Sequence, residues 1–333
     1  MDLSVIVCCY KGEETIEECL ESLCAQSYEN KKYEVIIVDD DSIDDSTARI
    51  NSFLKNKHFK FPIIKYFKKE NKGLSVARNF GIEKSNANLV SFIDEDAKAD
   101  KNFVLNVVKT FKTNPQTNCL GGKVELWNEH DYFAKIYHYG YFNAMMTNGA
   151  IIGTNMSFRK SFLDEIGGFI PKFDKRGDET ALFLKAGNRL SKYVSLDVIV
   201  YHTQPNCQKT FFSIRNLNGS LAYECEELSL SYGFSLSGLY LRSIYHLSFI
   251  ILPILVFISF FVSYIASFIL LVLFSFIFIM RFLVLGHLLK PLNYFYKSDI
   301  KKSLKDYIYL SWLIIYGFFQ EDIGHIKRQM RSK

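Results

Sequence analysis

In the first hundred residues, short apolar runs that stop on acids alternate with amphipathic stretches. Leu3-Ser-Val-Ile-Val7 predicts a strand, and Ile16, Leu20, Leu23 and Cys24 then fall at helical spacing. Tyr33 to Val38 predicts a second strand, which ends on Asp39, Asp40 and Asp41. Ser42 to Thr47 follows as a turn and helix start, with Ser, Thr and Asp as capping residues. Pro62 to Phe67 reads as a third strand and Leu74 to Ile82 as a helix. Leu89-Val-Ser-Phe-Ile-Asp94 is a fourth strand, closed by Asp94, Glu95 and Asp96. Strand and helix alternating at this spacing predict a doubly wound parallel α/β sheet.

Ligands of such sheets bind at the carboxyl ends of the strands, so two strands ending in acids mark that edge as a pocket for a nucleotide and a metal. Asp94 and Asp96 lie two apart on chain leaving the sheet, where a bend can aim both at one hard cation. Oxygen ligands suit Mg²⁺ or Mn²⁺, and either ion would bridge a diphosphate. Taken alone, an Asp-x-Asp is equally a solvated acidic loop.

Past residue 235 the pattern changes solvent. Between Arg242 and Arg281 there is no Asp, Glu, Lys or Arg, and Leu247 to Met280 is almost wholly apolar. As one straight helix this run would be about 50 Å long, against a hydrocarbon core of about 30 Å. Two helices of about 17–19 residues, turning at Ser259 to Tyr264 or at Ser267, fit better than one span or a buried helix pair. This hairpin, over about 244–281, returns both ends to one side. Arg242 precedes it and Arg281, Lys290, Lys297, Lys301 and Lys302 follow, which puts that side in the cytoplasm. Phe282 to Leu292 and Asp306 to Phe319 are shorter apolar or amphipathic stretches, flanked by basic Lys297 to Lys305 and a basic tail from His325 to Lys333. A crossing at Asp306 to Phe319 would carry that tail outward, so interfacial helices over about 282–320 on anionic lipid are expected. The chain thus divides into a catalytic domain, 1–235, and a membrane-associated region, 236–333.

Composition narrows the partners. The 333 residues carry a net charge of +5 and an isoelectric point near 8.6, without a basic stripe of interleaved aromatics, so nucleic acid is not an expected partner. Seven cysteines form no Cys-x-x-Cys pair, and an odd number argues for a reducing compartment. The first apolar run is too short for a signal peptide.

Nine blocks then fall in a recognisable order. They are Ser4-Val-Ile-Val-Cys-Cys-Tyr10, Glu21-Ser-Leu-Cys-Ala-Gln26-Ser-Tyr, Glu34-Val-Ile-Ile-Val-Asp-Asp-Asp-Ser42, Asn71-Lys-Gly-Leu-Ser-Val-Ala-Arg78-Asn79-Phe-Gly81 and Phe92-Ile-Asp-Glu-Asp96, then Gly153-Thr-Asn155-Met-Ser-Phe-Arg159, Ile166-Gly-Gly-Phe169, Gly177-Asp178-Glu179-Thr180 and Val198-Ile-Val-Tyr-His202. Over roughly the first 200 residues this order resembles the family 2 glycosyltransferases. The resemblance implies a GT-A nucleotide-sugar-binding fold with a Rossmann-like mixed sheet, a nucleotide-sugar donor, a divalent metal (Mn²⁺ or Mg²⁺) and inversion at the anomeric carbon.

By that resemblance Asp96 is a metal ligand, and Asp94 assists through the metal or the ribose. Asp40 matches the carboxylate that accepts a uracil imide N–H, so the donor is expected to be UDP-linked. Cys8 stands beside the base where the family has Pro or Thr, and Tyr10 lies in the same block. Lys72, just before Gly73, and Arg78 and Asn79 after it can approach the pyrophosphate; Arg78 is equally a helix-face residue paired with an acid. A carboxylate at a helix start serves as general base, usually within Glu-Asp. Here the order is Asp178-Glu179, with Glu179 favoured as base and Asp178 capping or orienting. His202 either completes the metal shell or is a structural histidine, with the ligand role favoured. Trp127 and Tyr132 to Phe142 read as core or membrane-facing packing before acceptor groove.

Polymerising synthases of the family usually carry Gln-x-x-Arg-Trp. Here Gln208 is followed by Lys-Thr-Phe-Phe and Arg215 by Asn-Leu, with no tryptophan near, so addition of one sugar to a lipid-linked acceptor or surface saccharide is expected. Two alternatives are a polyprenyl-phosphate sugar synthase, whose acceptor phosphate needs no strong base, and a non-catalytic nucleotide-sugar-binding scaffold.

Overall fold

The apolar N-terminal run forms β1 (Leu3–Cys9), with α1 (Ile16–Cys24), β2 (Tyr33–Asp39), α2 (Ser46–Lys55), β3 (Ile63–Lys68), α3 (Leu74–Lys84) and β4 (Leu89–Asp94) following in sequence. This computed structural model describes residues 1–55, 62–143, 150–173, 176–231, 251–252, 254–257, 264–279, 291 and 304–331. β5 (Ala97–Ala99), α4 (Phe103–Thr113), β6 (Cys119–Leu126) and α5 (Tyr132–Ile136) come next, and a π-helical turn occupies Tyr137–Phe142. Then follow β7 (Met156–Arg159), α6 (Lys160–Ile166), α7 (Asp178–Ala186), β8 (Lys192–His202) and α8 (Gln208–Ser231).

The sheet is mixed rather than wholly parallel. Its order is β3-β2-β1-β4-β7-β6-β8-β5. The first four strands run parallel, as alternating strand and helix predicts. β7 then pairs antiparallel with both β4 and β6, and β8 lies parallel to β6. Two reversals restore the direction, so β6 and β8 end at the same edge as β1, β2 and β4. His202 thereby reaches the acid-rich edge.

Alternation along the strands sends side chains to two cores. Leu3, Val5 and Val7 pack with α1, α2 and α4, while Ile6 and Cys8 pack with α3, α6 and α7. Both faces are covered, which is why these strands read as continuous apolar runs. At the start of β2, Glu34 is fully buried and accepts from Ser4 Oγ (2.7 Å), Asn86 N (2.7 Å) and Asn86 Nδ2 (3.3 Å), with Lys65 Nζ at 2.8 Å. Between Gly122 and Lys123 the β6–β8 register slips, and Asn155 Nδ2 fills the irregularity by donating to Lys123 O (2.8 Å) and Val198 O (3.1 Å). A Cβ at Gly122 would come within 2.2 Å of Val198 O, so glycine is required there.

The chain forms two compact units, Met1–Asn128 with Gly149–Thr203, and Glu129–Asn148 with Gln204–Lys333. In the second, α8 packs on a long terminal helix, and Tyr264–Ile279 (α9) and Leu304–Arg331 (α10) are its last described helices. Phe133, Ile136, Phe211, Leu310, Leu313 and Ile314 form its core, so the first turns after Tyr132 are packing residues. α10 runs through the segment expected to be a basic tail as far as Arg331. No helix among the described residues is long and apolar enough to cross a membrane. Of the hairpin expected over about 244–281, residues 251–252, 254–257 and 264–279 are described, the last as the helix α9, which runs through Ser267 without a turn. Arg242, Arg281, Lys290, Lys297, Lys301 and Lys302 and most of 282–303 lie outside the described residues.

Candidate active site

At the shared C-terminal edge, the end of β4, the start of β5 and the end of β8 converge. Ala97 pairs with His202 in register, which sets the imidazole beside Asp96. His202 Nε2 lies 3.1 Å from Asp96 Oδ1, and Thr203 Oγ1 donates to Asp96 Oδ2 at 3.0 Å. Asp94, Asp96 and His202 each offer a ligand atom within 4.8 Å of the others. Two carboxylates and an imidazole are hard and borderline donors, a set that suits a divalent cation of the Mg²⁺ or Mn²⁺ class. Burial works to raise the Asp96 carboxyl, but His202 and the Thr203 hydroxyl outweigh it and hold it low. Burial opposes charge on His202, yet Asp96 and Asp94 push its pKa up to about 9, so metal binding must displace a proton there.

Arg78 decides how this group connects to the rest. It is 2% exposed, with its guanidinium 5.7 Å from the Phe92 ring and 5.6 Å from the Phe169 ring. Nη2 donates to Asp94 Oδ1 (3.0 Å) and to Gly153 O (3.3 Å), and Nη1 donates to Asp178 Oδ2. Of its two sequence readings, pairing with acids is what the geometry displays. A Cβ at Gly153 would stand 2.9 Å from Nη2, which explains the glycine. Asn79 turns from the site to clasp the chain ahead of α7, exchanging two hydrogen bonds with Phe169 (2.9 and 2.8 Å). Ser75 Oγ adds a bond to Phe173 O at 2.5 Å. α3 therefore brackets the metal group and the approach to α7.

At the first residues of α7, Asp178 is buried and Glu179 half-buried. Asp178 is the first residue of the helix, after the N-cap Gly177, and its carboxylate is held by Arg78. Burial, then the charge of Asp178, pushes the Glu179 carboxyl up to about 7, with Arg78 partly opposing. A carboxylate poised there is suited to take a proton near neutral pH.

The remaining expected residues divide. Asp40 is buried at the end of β2, where its carboxylate accepts from Lys72 N (3.2 Å), Gly73 N (2.8 Å) and Lys69 Nζ. The Lys72 side chain instead pairs on the surface with Glu70 at 2.9 Å. Cys8 is buried opposite Asp94 in the β1–β4 ladder, and burial raises its thiol. Tyr10 is exposed just past β1, with Lys11 Nζ 5.4 Å from its ring. Trp127 is half-buried under Lys98 Nζ, 4.1 Å from its ring. Sequence reasoning gave no role to Thr203, Lys69 or Glu95. Burial, then Asp96 and Asp94, raises Glu95 to about 8, and its side chain lies where a Cβ at Gly12 would be 2.7 Å away. Only the position of Glu95 between two site acids signalled it.

Residues 4–167 match the family model Glycosyl transferase family 2. A glucosyl-dolichyl phosphate glucuronosyltransferase of Haloferax volcanii is 26% identical over 233 residues, covering 65% of this chain and 71% of that protein. A poly-beta-1,6-N-acetyl-D-glucosamine synthase of Staphylococcus epidermidis is 29% identical over 175 residues, covering 50% of this chain; the chain spans only 41% of that relative. A solved mannosyltransferase from Pyrobaculum calidifontis, in complex with GDP-Man and Mn²⁺, superposes with TM-score 0.60 at 15% identity over 99% of this chain and 88% of that one, a likeness of fold. With its motifs in order and its acids gathered at one sheet edge, the chain belongs to the family 2 glycosyltransferases and is a glycosyltransferase enzyme.

Proposed function

We propose that the protein transfers one sugar at a time, with inversion, from a UDP-type donor to a lipid-linked or saccharide acceptor at the cytoplasmic face of a membrane. The observation that carries this reading is Glu179, a half-buried carboxyl poised near neutrality and tied through Asp178 and Arg78 to Asp94. In the reaction the acceptor oxygen attacks the anomeric carbon while Glu179 takes its proton, and the bond to the diphosphate breaks with the electron pair leaving on the nucleotide. Asp94, Asp96 and His202 would hold Mn²⁺ or Mg²⁺, which supplies Lewis-acid neutralisation of the leaving diphosphate. Asp178 acts as a positioning residue, and Asp40, with Cys8 and Tyr10 nearby, faces the base.

We take 1–235 as the catalytic domain and 236–333 as its membrane-associated region, with a hairpin over about 244–281. Support comes from apolar surface. Along α10, Ile308, Trp312, Tyr316 and Phe319 form one exposed stripe, with exposed Lys305 and Lys327 toward its two ends. Trp312 and Tyr316 are stacked at 5.6 Å and 6°. Phe268, Ile269, Leu271, Val272 and Phe276 are exposed on α9. Aromatics between lysines on a helix whose other face is packed suit the headgroup boundary. The Haloferax relative, by its name, acts on a lipid-linked sugar, which favours that acceptor class here.

The test is membrane-reconstituted enzyme screened with a nucleotide-sugar panel and Mn²⁺, with nucleotide release followed against glycosylated lipid or polyprenyl phosphate alone. Release with a UDP-sugar and a glycosylated lipid supports the reading. Turnover on polyprenyl phosphate alone would replace it with a polyprenyl-phosphate sugar synthase.

A further inference from the structure

Lys69 enters the base end of the site on a side chain with hydrogen-bonding capacity to spare. Its backbone N–H donates to Asp39 O at 3.0 Å, which fixes it just past β3. Its ammonium donates to Glu70 O at 2.6 Å and to Asp40 Oδ1. Both partners of that ion pair are largely enclosed, with side chains 14% and 6% exposed. Oδ1 also accepts Lys72 N–H, and Oδ2 accepts Gly73 N–H. An ammonium has three donors and a carboxylate about four acceptor sites. One donor on Lys69 and one acceptor on Asp40 are left over, next to each other.

We propose that Lys69 is a specificity-determining residue which, together with Asp40, reads the edge of the donor base. This rests on the reading that Asp40 faces that base. The pair offers an acceptor beside a donor and is complementary to an N–H beside a carbonyl. Uracil presents that edge as N3–H and O4, and guanine as N1–H and O6. Cytosine sets an unprotonated N3 against the carboxylate and an amino group against the ammonium, so both contacts repel; adenine fails in the same way. Enclosure sharpens the choice, because a mismatched polar group there is left without water. Asp40 alone would select for the N–H; Lys69 adds the demand for the neighbouring carbonyl.

A purely structural Lys69, holding the 69–73 loop on Asp40, would weaken every nucleotide equally when removed, so the ratio between bases is the readout. UDP, GDP, CDP and ADP are titrated with Mn²⁺ by calorimetry into wild type and Lys69→Met, which keeps the stem and loses the ammonium. Wild type is expected to prefer UDP and GDP, and K69M to lower the UDP-to-CDP affinity ratio about tenfold. A ratio unchanged in a folded K69M overturns the proposal, even if all nucleotides weaken. In wild type alone, 4-thio-UDP, a poorer acceptor at position 4, should bind several-fold more weakly than UDP. Equal binding of the two overturns the proposal without a variant. Wild type that prefers CDP or ADP overturns the donor reading, and Lys69 with it, whereas a normal UDP preference with an unchanged K69M ratio overturns Lys69 alone.

Discussion

Buried and half-buried acids lie at both edges of the sheet, and Glu34, at the start of β2, differs from Asp94, Glu95 and Glu179 at the opposite edge in how far its partners satisfy it. Glu34 is fully buried and accepts three hydrogen bonds besides its Lys65 ion pair, so its lone pairs are filled. Burial alone would raise that carboxyl, but Lys65, Ser4 and Asn86 outweigh it and hold it low. At the other end of the same sheet, Asp94, Glu95 and Glu179 are raised, because burial there outruns the partners supplied. Among the described residues, the two non-glycine positive φ values, Lys11 at 65° and Asp41 at 61°, also lie at that end, just past β1 and β2. A filled carboxylate holds the fold together; an underfilled one is available for a metal, a base or a proton.

The largest expected effect is at the metal group. Asp96→Ala should lower transfer by at least about 10³-fold, the several kcal/mol a Lewis acid contributes, and abolish Mn²⁺-dependent nucleotide binding. Its melting temperature should change little, since the carboxylate is partly exposed. Normal activity at ordinary Mn²⁺ would remove Asp96 from the ligand set. Next comes Glu179→Gln, expected to cut turnover about 10²–10⁴-fold with UDP–Mn²⁺ affinity intact.

The Arg78 bridge belongs to both kinds of region. Arg78→Met strands Asp178 as a buried charge and should cost about 3–5 kcal/mol of stability, read by urea unfolding, besides losing activity. Asp178→Asn leaves Arg78 its bond to Asp94 and should cost only about 1–3 kcal/mol with partial activity. If Asp178→Asn were inactive and Glu179→Gln active, the base would be Asp178.

Glu34→Ala is the converse experiment. It should cost about 3 kcal/mol of stability, yet leave kcat of the folded enzyme within a few-fold of wild type. The smallest effects are in pH dependence, and the signs are opposed. Glu34 has a depressed folded pKa, so its contribution is present above the unfolded value of about 4.3 and lost as pH falls through the folded one. Glu179 binds its proton more tightly folded than unfolded, so between about 4.3 and about 7 rising pH costs stability. Unfolding of E34A and E179Q across about pH 2–8 should show each slope removed separately, that of Glu34 below about 4.3 and that of Glu179 above it.

Much of the working edge was legible in the chain. Acids at the ends of β2 and β4 announce themselves because apolar runs stop on them, and His202 closes the last run of the family pattern. The reversal at β7 was not legible, because Met156–Arg159 is four residues long and its direction is set by partners distant in sequence. The partners of Arg78 were equally hidden. A charge at Ala-Arg-Asn on a helix looks the same whether it meets phosphate or a buried acid 100 residues on. Lys69 sits in Lys-Lys-Glu-Asn-Lys, which reads as a solvated turn, and only the closeness of β3 to β2 turns it inward. Periodicity reports which face is apolar; it does not report which polar groups have had their hydrogen bonds filled.

The most direct test of the central claim, that an underfilled carboxyl at Glu179 is the base, is kcat against pH for wild type and Glu179→Gln at saturating donor and Mn²⁺. The base acts only when ionised, so wild-type kcat should fall as pH drops below an apparent pKa of about 7. E179Q should lose that limb along with about 10²–10⁴-fold of the rate, at unchanged UDP affinity. A variant that kept both the rate and the acidic limb would contradict the account.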